Sequence, residues 1–228
     1  MLTSDGAVTR DTGLVRSDNL AKLSEEGMAA AIADGVTTVI DLRFPQEIAK
    51  APNPFQNQAR GVTYLHRPLM TTDRNEAMDK IRAAESTQEA YRATLEGFGE
   101  HIADIVRAIA EAEPGRVVLH CSAGKDRTGL VTALVLSAVG VPNNDIASDY
   151  ALTDVYLHDL YAAGLAQVAD EHERTRLAEE QRAKPEYILE VLAELEQRHG
   201  SVAAYLKQHG VASQTLEQLE RRLVHEPS

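Results

Sequence analysis

Residues 117–129 read Val-Val-Leu-His-Cys-Ser-Ala-Gly-Lys-Asp-Arg-Thr-Gly, and this stretch decides the fold. The apolar run 117–120 is typical of a short buried strand, and the strongly apolar stretch 129–138 is typical of a core helix. A loop between such a strand and helix can point successive backbone N–H groups into one hollow at the helix N-terminus. The stretch therefore predicts an anion-binding loop inside an α/β protein.

Outward from this loop, segments typical of strands alternate with segments of helical period, which favours a mostly parallel sheet. Strands are predicted over 14–17, 36–43, 62–69 and 117–120. Helices are predicted over 27–35, 75–84, 88–112 and 129–138, and through most of the C-terminal part, 143–228. We therefore predict one α/β domain over 1–228, with a central, mostly parallel sheet of about four to five strands flanked by helices, and a helical C-terminus.

Composition and charge exclude several classes of function. The chain has 228 residues, with 23 Lys and Arg against 35 Asp and Glu, for a formal net charge of −12. An acidic surface repels phosphate backbones, so nucleic acid is not an expected partner, and an anionic substrate needs a local positive site. No run approaches the roughly 18 apolar residues of a membrane-spanning helix, so no integral membrane association is expected. The N-terminal residues lack the features of a Sec-type signal peptide, and we expect a cytoplasmic protein, with export by another route left open.

Cys121 is the only cysteine, which excludes an internal disulfide and a cysteine-rich zinc site. Arg127, separated from it by five residues, can grip two oxygens of a bound phosphate. Gly124 permits backbone angles that other residues resist, and the positive surroundings should keep Cys121 ionised. A thiolate that faces a tetrahedral anion is a nucleophile placed for phosphoryl transfer.

The loop has two other possible interpretations. A nucleotide-binding loop of the Walker type is excluded, because Leu119 stands where its first glycine is required and Asp126 where its Ser or Thr is required. A buried structural cysteine in a strand–helix turn is the remaining alternative. The residues that follow Cys121 argue against it.

The segment HCSAGKDRTG, 120–129, resembles the signature of the protein tyrosine phosphatases with a Cys-x5-Arg loop. Within that family it is similar to the bacterial and fungal tyrosine/serine phosphatase group, which includes secreted mycobacterial and listerial enzymes. The resemblance covers nearly the whole chain, through LVRSDNL at 14–20, VTTVIDLR at 36–43, DYALT at 149–153 and GSVAAYLKQHGV at 200–211. It implies hydrolysis of phosphotyrosine, and also of phosphoserine or phosphothreonine, through a cysteinyl-phosphate intermediate with no metal and no cofactor.

The resemblance also implies roles for the loop residues. Cys121 would be the nucleophile, and Arg127 would bind phosphate and stabilise the transition state. Thr128 would place its hydroxyl near the sulfur and help it leave, and His120 would orient the loop. The phosphate oxygens would be held by the backbone N–H groups of Ser122, Ala123, Gly124, Lys125, Asp126 and Arg127.

The general acid that protonates the leaving oxygen stays open. Many tyrosine phosphatases use an aspartate roughly thirty residues before the cysteine, but this chain has Tyr-Arg-Ala-Thr at 91–94. We favour Asp126, which lies within the loop, and place Asp41 second, at the end of a predicted strand. Asp73, in a loop after a predicted strand, is the third candidate. The alternative for Asp41 is an ion pair with Arg43 or Arg16 that supports the loop.

Three further expectations concern the surroundings of the loop. Lys125 is either a second cation for a substrate with extra phosphates or a solvated support for the thiolate. Arg16 and Ser17 are expected to border the site. The helical region 75–112 is longer than a minimal phosphatase requires, and the resemblance suggests that it forms a lid over the pocket.

Phosphoprotein and phosphopeptide substrates are the expected partners, with phosphoinositides as the alternative substrate class, and the oligomeric state is left open. Sulfur transfer and arsenate reduction also use a cysteine in an anion-binding loop. Arsenate reduction normally needs further cysteines, and sulfur-transfer loops seldom carry the Arg127–Thr128 pair. A non-catalytic phosphate-binding module is disfavoured, because both the nucleophile and the arginine are present.

Overall fold

The computed structural model describes residues 1–56 and 59–225, so positions 57, 58 and 226–228 of the predicted domain lie outside the described residues. The strands are β1 (Val8–Thr9), β2 (Leu14–Ser17), β3 (Val36–Asp41), β4 (Thr63–His66), β5 (Arg116–His120) and β6 (Val224–His225). The helices are α1 (Glu25–Ala33), α2 (Pro45–Lys50), α3 (Asn75–Ala83), α4 (Thr87–Ala110), α5 (Asp126–Ala138), α6 (Asn143–Tyr156), α7 (His158–Leu165), α8 (Glu171–Glu180), α9 (Pro185–His199), α10 (Val202–Gln208) and α11 (Ser213–Leu223).

The main sheet has four parallel strands in the order β2-β5-β3-β4, which confirms the predicted α/β class. β5 lies at its centre, paired with β2 on one side and with β3 on the other. Its residues 117–120 are buried, as a strand covered by helices on both faces requires. Because the strands run in the same direction, the residues that follow β2, β3, β4 and β5 meet at one edge of the sheet.

A second, smaller sheet was not predicted. In it β1 pairs antiparallel with β6, so that Val8 lies opposite His225 and Thr9 opposite Val224. Each strand has only two residues, and neither has the alternating pattern that would mark a strand in a sequence.

The core holds α4 and α5 against the sheet. α4 contributes Phe98, Ile102, Ile105 and Ile109, each at most 1% exposed, and residues 128–135 of α5 are buried. The middle of α4 therefore belongs to the core and cannot move as part of a lid. Only α3 and the start of α4 border the predicted site, so the lid expected over 75–112 can include no more than these.

The C-terminal part is helical, as predicted. Leu157, whose side chain is buried, separates α6 from α7. α8 has no buried residue, whereas α9 packs Ile188, Val191 and Leu192 into the core. Over residues 1–56 and 59–225, no helix is both long enough and apolar enough to cross a membrane.

Candidate active site

Cys121 follows directly on β5, and α5 begins at Asp126, so the five residues 121–125 make the whole turn. The cysteine is 2% exposed, and its Sγ accepts a hydrogen bond from the backbone N–H of Gly124 at 3.3 Å. The sulfur thus lies within the turn and near the positive end of a 13-residue helix. This is the anion-binding geometry that the sequence predicts.

Gly124 is required by both its conformation and its neighbours. Its φ is +70°, in the left-handed region, and a Cβ there would lie 2.6 Å from the carbonyl oxygen of Ser17. Next to it, the N–H of Asn19 donates to the carbonyl oxygen of Ser122 at 3.1 Å. The segment after β2 therefore packs directly against the loop, which places Ser17 at its border as expected.

Arg16, one residue earlier, is held by α6. Its Nε lies 2.8 Å from Asp149 Oδ2, and its Nη1 donates to Thr153 Oγ1 at 3.0 Å. Its Nη1 also lies 3.5 Å from the carbonyl oxygen of Gly124. Arg16 therefore joins α6 to the loop rather than pairing with Asp41.

Arg127 carries an anionic partner that sequence reasoning missed. Its Nη1 and Nη2 donate to Glu47 Oε2 and Oε1, at 2.5 and 2.8 Å, and the Ser122 hydroxyl donates to the same carboxylate. Burial disfavours ionised Glu47, but the hydrogen bonds from Arg127 and Ser122 prevail and lower its pKa to about 2. The guanidinium also lies 5.4 Å from the centre of the Phe44 ring. The fork of Arg127 is thus held in place at the mouth of the loop.

Asp41 is fully buried and bound by Arg43. The guanidinium Nε and Nη2 donate to its two oxygens at 2.9 and 2.6 Å, and Tyr64 donates its hydroxyl at 3.0 Å. Burial alone would raise the pKa of Asp41, but His120 and Arg43 beside the carboxylate lower it well below the usual range. The structure thus favours the alternative interpretation of Asp41, an ion pair with Arg43 that supports the loop, over a role as proton donor.

Arg43 extends this support to two other loops. Its Nη1 donates to Asn19 Oδ1 at 2.9 Å and to the carbonyl oxygen of Ala51 at 2.8 Å. Every nitrogen of this fully buried guanidinium therefore donates a hydrogen bond. The chain segments after β2, β3 and α2 are fixed relative to one another by this single side chain.

His120 is fully buried at the end of β5, behind the loop. Its Nδ1 lies 3.1 Å from the carbonyl oxygen of Cys121, and only a protonated Nδ1 can bond that oxygen. Its Nε2 lies 2.8 Å from Asn53 Nδ2 and 3.3 Å from Asp41 Oδ2. The ring therefore fixes the first peptide group of the loop, in the position that the predicted orienting role requires.

Asp126 is the candidate acid that has an open side. Its side chain is 48% exposed, and the hydroxyl of Tyr91 donates to its Oδ1 at 2.8 Å. The Tyr91 hydroxyl is also 2.8 Å from that of Tyr150, which must be the donor there, because Tyr91 has already given its proton to Asp126. Burial raises the pKa of Tyr91 well above its usual value, so the phenol stays a donor. One oxygen of Asp126 is thus anchored, and Oδ2 makes no hydrogen bond in the described part of the chain.

Lys125 points away from the phosphate cradle. Its side chain is 5% exposed, and its ammonium donates to the carbonyl oxygens of Glu180 at 2.5 Å and Arg182 at 3.3 Å. The solvated support considered for this lysine is therefore wrong, because the side chain is buried against the end of α8. The ammonium also lies 3.4 Å from Asp126 Oδ1.

Thr128 and Asp73 complete the predicted set. Thr128 is fully buried, and within residues 1–56 and 59–225 its hydroxyl has no hydrogen-bond partner. Its expected contact with the sulfur remains a prediction. Asp73 is exposed in the turn before α3, and over the residues that the structure describes no hydrogen bond or ion pair joins it to the loop.

α7 contributes a residue that was also missed. Tyr161 is partly buried, and burial together with the nearby charges of Asp126 and Cys121 raises its pKa to about 12. α7 therefore lies near the loop, and the end of α8 contacts Lys125. No sequence signal points to either arrangement, because both bring together segments that are distant along the chain. Across the described residues, no three His, Cys, Asp or Glu side chains are grouped as a metal site would need.

The sequence of this chain is similar to those of known phosphatases. Residues 1–225 match a family model described as the tyrosine phosphatase family. A tyrosine-protein phosphatase of Nostoc commune is 32% identical over 224 residues, which cover 92% of this chain and 73% of the relative. The triple specificity protein phosphatase PtpB of Mycobacterium tuberculosis is 27% identical over 247 residues, which cover 90% of this chain and 88% of the relative.

The buried ion pair between Asp41 and Arg43 predicts how a substitution changes the stability of the fold. Asp41→Asn should lower the free energy of unfolding by about 3 kcal/mol, because it leaves the Arg43 charge buried without its counterion. The measurement is urea denaturation. Asp34→Asn is the matched control, since Asp34 forms an ion pair with Arg116 but is 65% exposed, and its effect should stay within about 0.5 kcal/mol. Equal effects of the two substitutions would contradict the support assigned to Asp41.

Glu47 gives a pH prediction. Its pKa is about 2 in the folded chain against an ordinary 4.5, so the ionised carboxylate stabilises the fold above about pH 4.5. That contribution is lost as the pH falls from 4.5 toward 2. In urea titrations, the stability difference between the parent and Glu47→Gln should therefore shrink from about pH 6 to about pH 3. A difference that stays constant over this range would show that the Glu47 charge contributes nothing.

Proposed function

The chain belongs to the tyrosine phosphatase family, and we propose that it hydrolyses phosphotyrosine in proteins and peptides through a cysteinyl-phosphate intermediate. Membership makes the chain a hydrolase of phosphomonoesters. The proposal concerns the substrate class and the assignment of each catalytic step to a residue.

The observation that carries the proposal is the anion-binding form of the loop. Cys121 lies at the base of the turn, and the Arg127 fork already binds an oxyanion, the carboxylate of Glu47. Glu47 uses Nη1 and Nη2, and in the described part of the chain the Nε–H of Arg127 makes no hydrogen bond. The edge formed by Nε and Nη2 can thus grip two phosphate oxygens while Glu47 keeps the side chain oriented.

In the first step the Cys121 thiolate attacks phosphorus, and the bond between phosphorus and the tyrosine oxygen breaks. The loop N–H groups and Arg127 stabilise the charge on the equatorial oxygens. Asp126 gives its proton to the departing phenolate, which leaves as tyrosine. Tyr91 holds Oδ1 of Asp126, so Oδ2 is the oxygen turned toward the substrate.

In the second step water attacks the phosphorus of the cysteinyl phosphate, and Asp126, now ionised, accepts a proton from that water. The bond between sulfur and phosphorus breaks, and inorganic phosphate and the Cys121 thiolate result. Thr128 supports the departure of the sulfur, because its unpartnered buried hydroxyl is free to donate as negative charge returns to the thiolate.

We assign His120 and Asp41 to positioning rather than to proton transfer. His120 bonds the carbonyl oxygen of Cys121, and Asp41 is buried behind it with its oxygens bound to Arg43 and Tyr64. Neither side chain has an exposed surface through which a leaving group could be reached. This leaves Asp126 as the proposed acid.

An apolar cavity beside the loop favours an aromatic leaving group. It has a volume of about 180 Å³ and borders both Asp126 and Arg127. Its apolar lining comes from Leu69, Met70, Ile81, Ala90, Tyr91 and Leu130. A phenyl ring has the size and chemistry for this cavity, whereas the aliphatic carbon of phosphoserine would leave it largely unfilled.

Phosphoserine and phosphothreonine are proposed as poorer substrates, in view of the name of the mycobacterial relative. Phosphoinositides carry additional phosphates, but the cation predicted for them, Lys125, is bound to the α8 carbonyl oxygens. We therefore rank phosphopeptides above these lipids. We propose the cytoplasm as the site of action, because a single catalytic thiol depends on reducing surroundings.

The proposed mechanism is tested with p-nitrophenyl phosphate in the absence of metal. The parent chain should turn it over, and Cys121→Ser and Arg127→Ala should each lose more than about 10³-fold in kcat/KM. The parent should also yield a phosphorylated Cys121 when the reaction is quenched and analysed by mass spectrometry. Unchanged activity in Cys121→Ser would rule out the covalent route.

The acid is tested by changing the leaving group. Asp126→Asn should lose about 10²-fold or more on phenyl phosphate, a poor leaving group, and about tenfold or less on p-nitrophenyl phosphate. Asp73→Asn, which alters the third predicted candidate, should behave as the parent does on both substrates. The same loss on both substrates for Asp126→Asn would mean that Asp126 supports the loop and does not supply the proton.

A further inference from the structure

An open groove of about 500 Å³ borders the loop beside Ala123 and Gly124, and the mechanism above does not use it. Ala123 and Gly124 also belong to the phosphate cradle, and the N–H of Gly124 donates to Cys121 Sγ, so the groove begins at the edge of the cradle. Its other walls come from the segment after β2 and from the end of α6. They are formed by Arg16, Ser17, Asp18, Asp149, Leu152 and Tyr156, with Thr153 and Leu157 beneath.

The α6 wall of the groove is apolar and exposed. Leu152 is 43% exposed and Tyr156 is 79% exposed. The two residues are four apart on one helix, so they form one continuous face. Large apolar side chains left open next to a catalytic loop mark a binding surface.

The opposite wall carries unbalanced negative charge. Arg16 is neutralised by Asp149 at 2.8 Å. Asp18 is exposed, and over the residues that the structure describes no cationic side chain pairs with it. A cationic group from outside the chain can therefore find an unpaired carboxylate at the rim of the groove.

We propose that this groove binds the residues flanking the phosphotyrosine of a peptide substrate, with a bulky apolar side chain on Leu152 and Tyr156 and a basic side chain at Asp18. The inference rests on the proposed function. An extended peptide advances about 3.3–3.6 Å per residue, so positions one to three residues from the phosphotyrosine reach the groove when its phosphate is in the cradle.

The charged side chains around the groove indicate that its ligand is a peptide and not a membrane surface. Apolar side chains beside a catalytic loop could also enter a lipid surface, but binding to anionic lipids needs Lys and Arg around the apolar patch. Here the charged side chains that line the groove are Asp18, Asp149 and Arg16, and Arg16 is already paired with Asp149, which leaves the carboxylate of Asp18. A peptide with apolar and basic residues complements this surface, and an anionic bilayer does not.

The test uses phosphotyrosine peptides of one constant sequence, in which the residues flanking phosphotyrosine are Leu, Ser or Glu, with or without an adjacent Lys. The parent should prefer Leu over Ser, and Ser over Glu, in kcat/KM. Leu152→Ser and Tyr156→Ser should each lower kcat/KM for the Leu peptide by about fivefold, and leave p-nitrophenyl phosphate, which is too small to reach the groove, unaffected. Asp18→Asn should remove an advantage of about threefold that the adjacent Lys gives.

Val155→Ser is the matched control, since Val155 is on the same helix and 68% exposed but does not line the groove. It should behave as the parent with every peptide. Equal kcat/KM for the Leu, Ser and Glu peptides would overturn the proposal that the groove binds the flanking residues. An equal loss in Val155→Ser and Leu152→Ser would also overturn it. Turnover of p-nitrophenyl phosphate by the same proteins would show that the proposed function still holds. Loss of activity in Tyr156→Ser only on phosphoinositides in phosphatidylcholine–phosphatidylserine vesicles would also overturn it, in favour of a membrane surface.

Discussion

The buried ion pair between Asp41 and Arg43 is the constraint on which the site depends. Arg43 also binds Asn19 and Ala51, so one guanidinium joins the segments that leave β2, β3 and α2. A buried charge pair adds little net stability compared with apolar residues, but breaking one partner is costly. Its value here is geometric, because the segments after β2, β3 and α2 are all positioned relative to the same guanidinium. Catalytic groups must be held to within fractions of an ångström, and a network with every donor bonded can do that.

The site for an anionic substrate is positive although the chain as a whole has a net charge of −12. The nest of loop N–H groups and Arg127 provide a positive site that the overall field does not. The carboxylate of Glu47 forms an ion pair with Arg127 and partly neutralises the charge of the guanidinium when no substrate is bound. In the proposed mechanism phosphate, with more charge and more oxygens than a carboxylate, binds the edge of the guanidinium formed by Nε and Nη2 and does not displace Glu47. The carboxylate therefore orients the arginine, and its own low pKa shows how strongly the pair is coupled.

The strand–loop–helix around Cys121 could be predicted from the sequence because its information is local. The turn needs glycine at 124, the nest needs contiguous N–H groups, and the flanking apolar runs specify a strand and a helix. The contacts of Glu47 with Ser122 and of Tyr91 with Asp126 could not be predicted, because they join segments 75 and 35 residues apart. The same holds for Tyr150, which reaches Asp126 through Tyr91. Asp41 is the instructive case. Its place at the end of a β-strand was right, but whether it donates a proton or pairs with Arg43 depends on burial, which a strand pattern does not reveal. The extent of the predicted lid could not be fixed for a related reason. Helical period shows that α4 has an apolar face, and only packing shows that the middle of this helix lies in the core.

The central position of β5 has a consequence for how the protein is made. During translation β2, β3 and β4 leave the ribosome first, but β2 and β3 have no direct contact in the sheet, since β5 lies between them. A nascent chain must therefore wait for residues 116–120 before its sheet can close, and pairings over such separations form slowly. The next residue synthesised is Cys121. The sulfur thus enters the chain directly after the strand that closes the sheet, while α5, which carries Arg127 and ends the loop, is still to be made, so the nucleophilic site can form only on a sheet that already has its central strand.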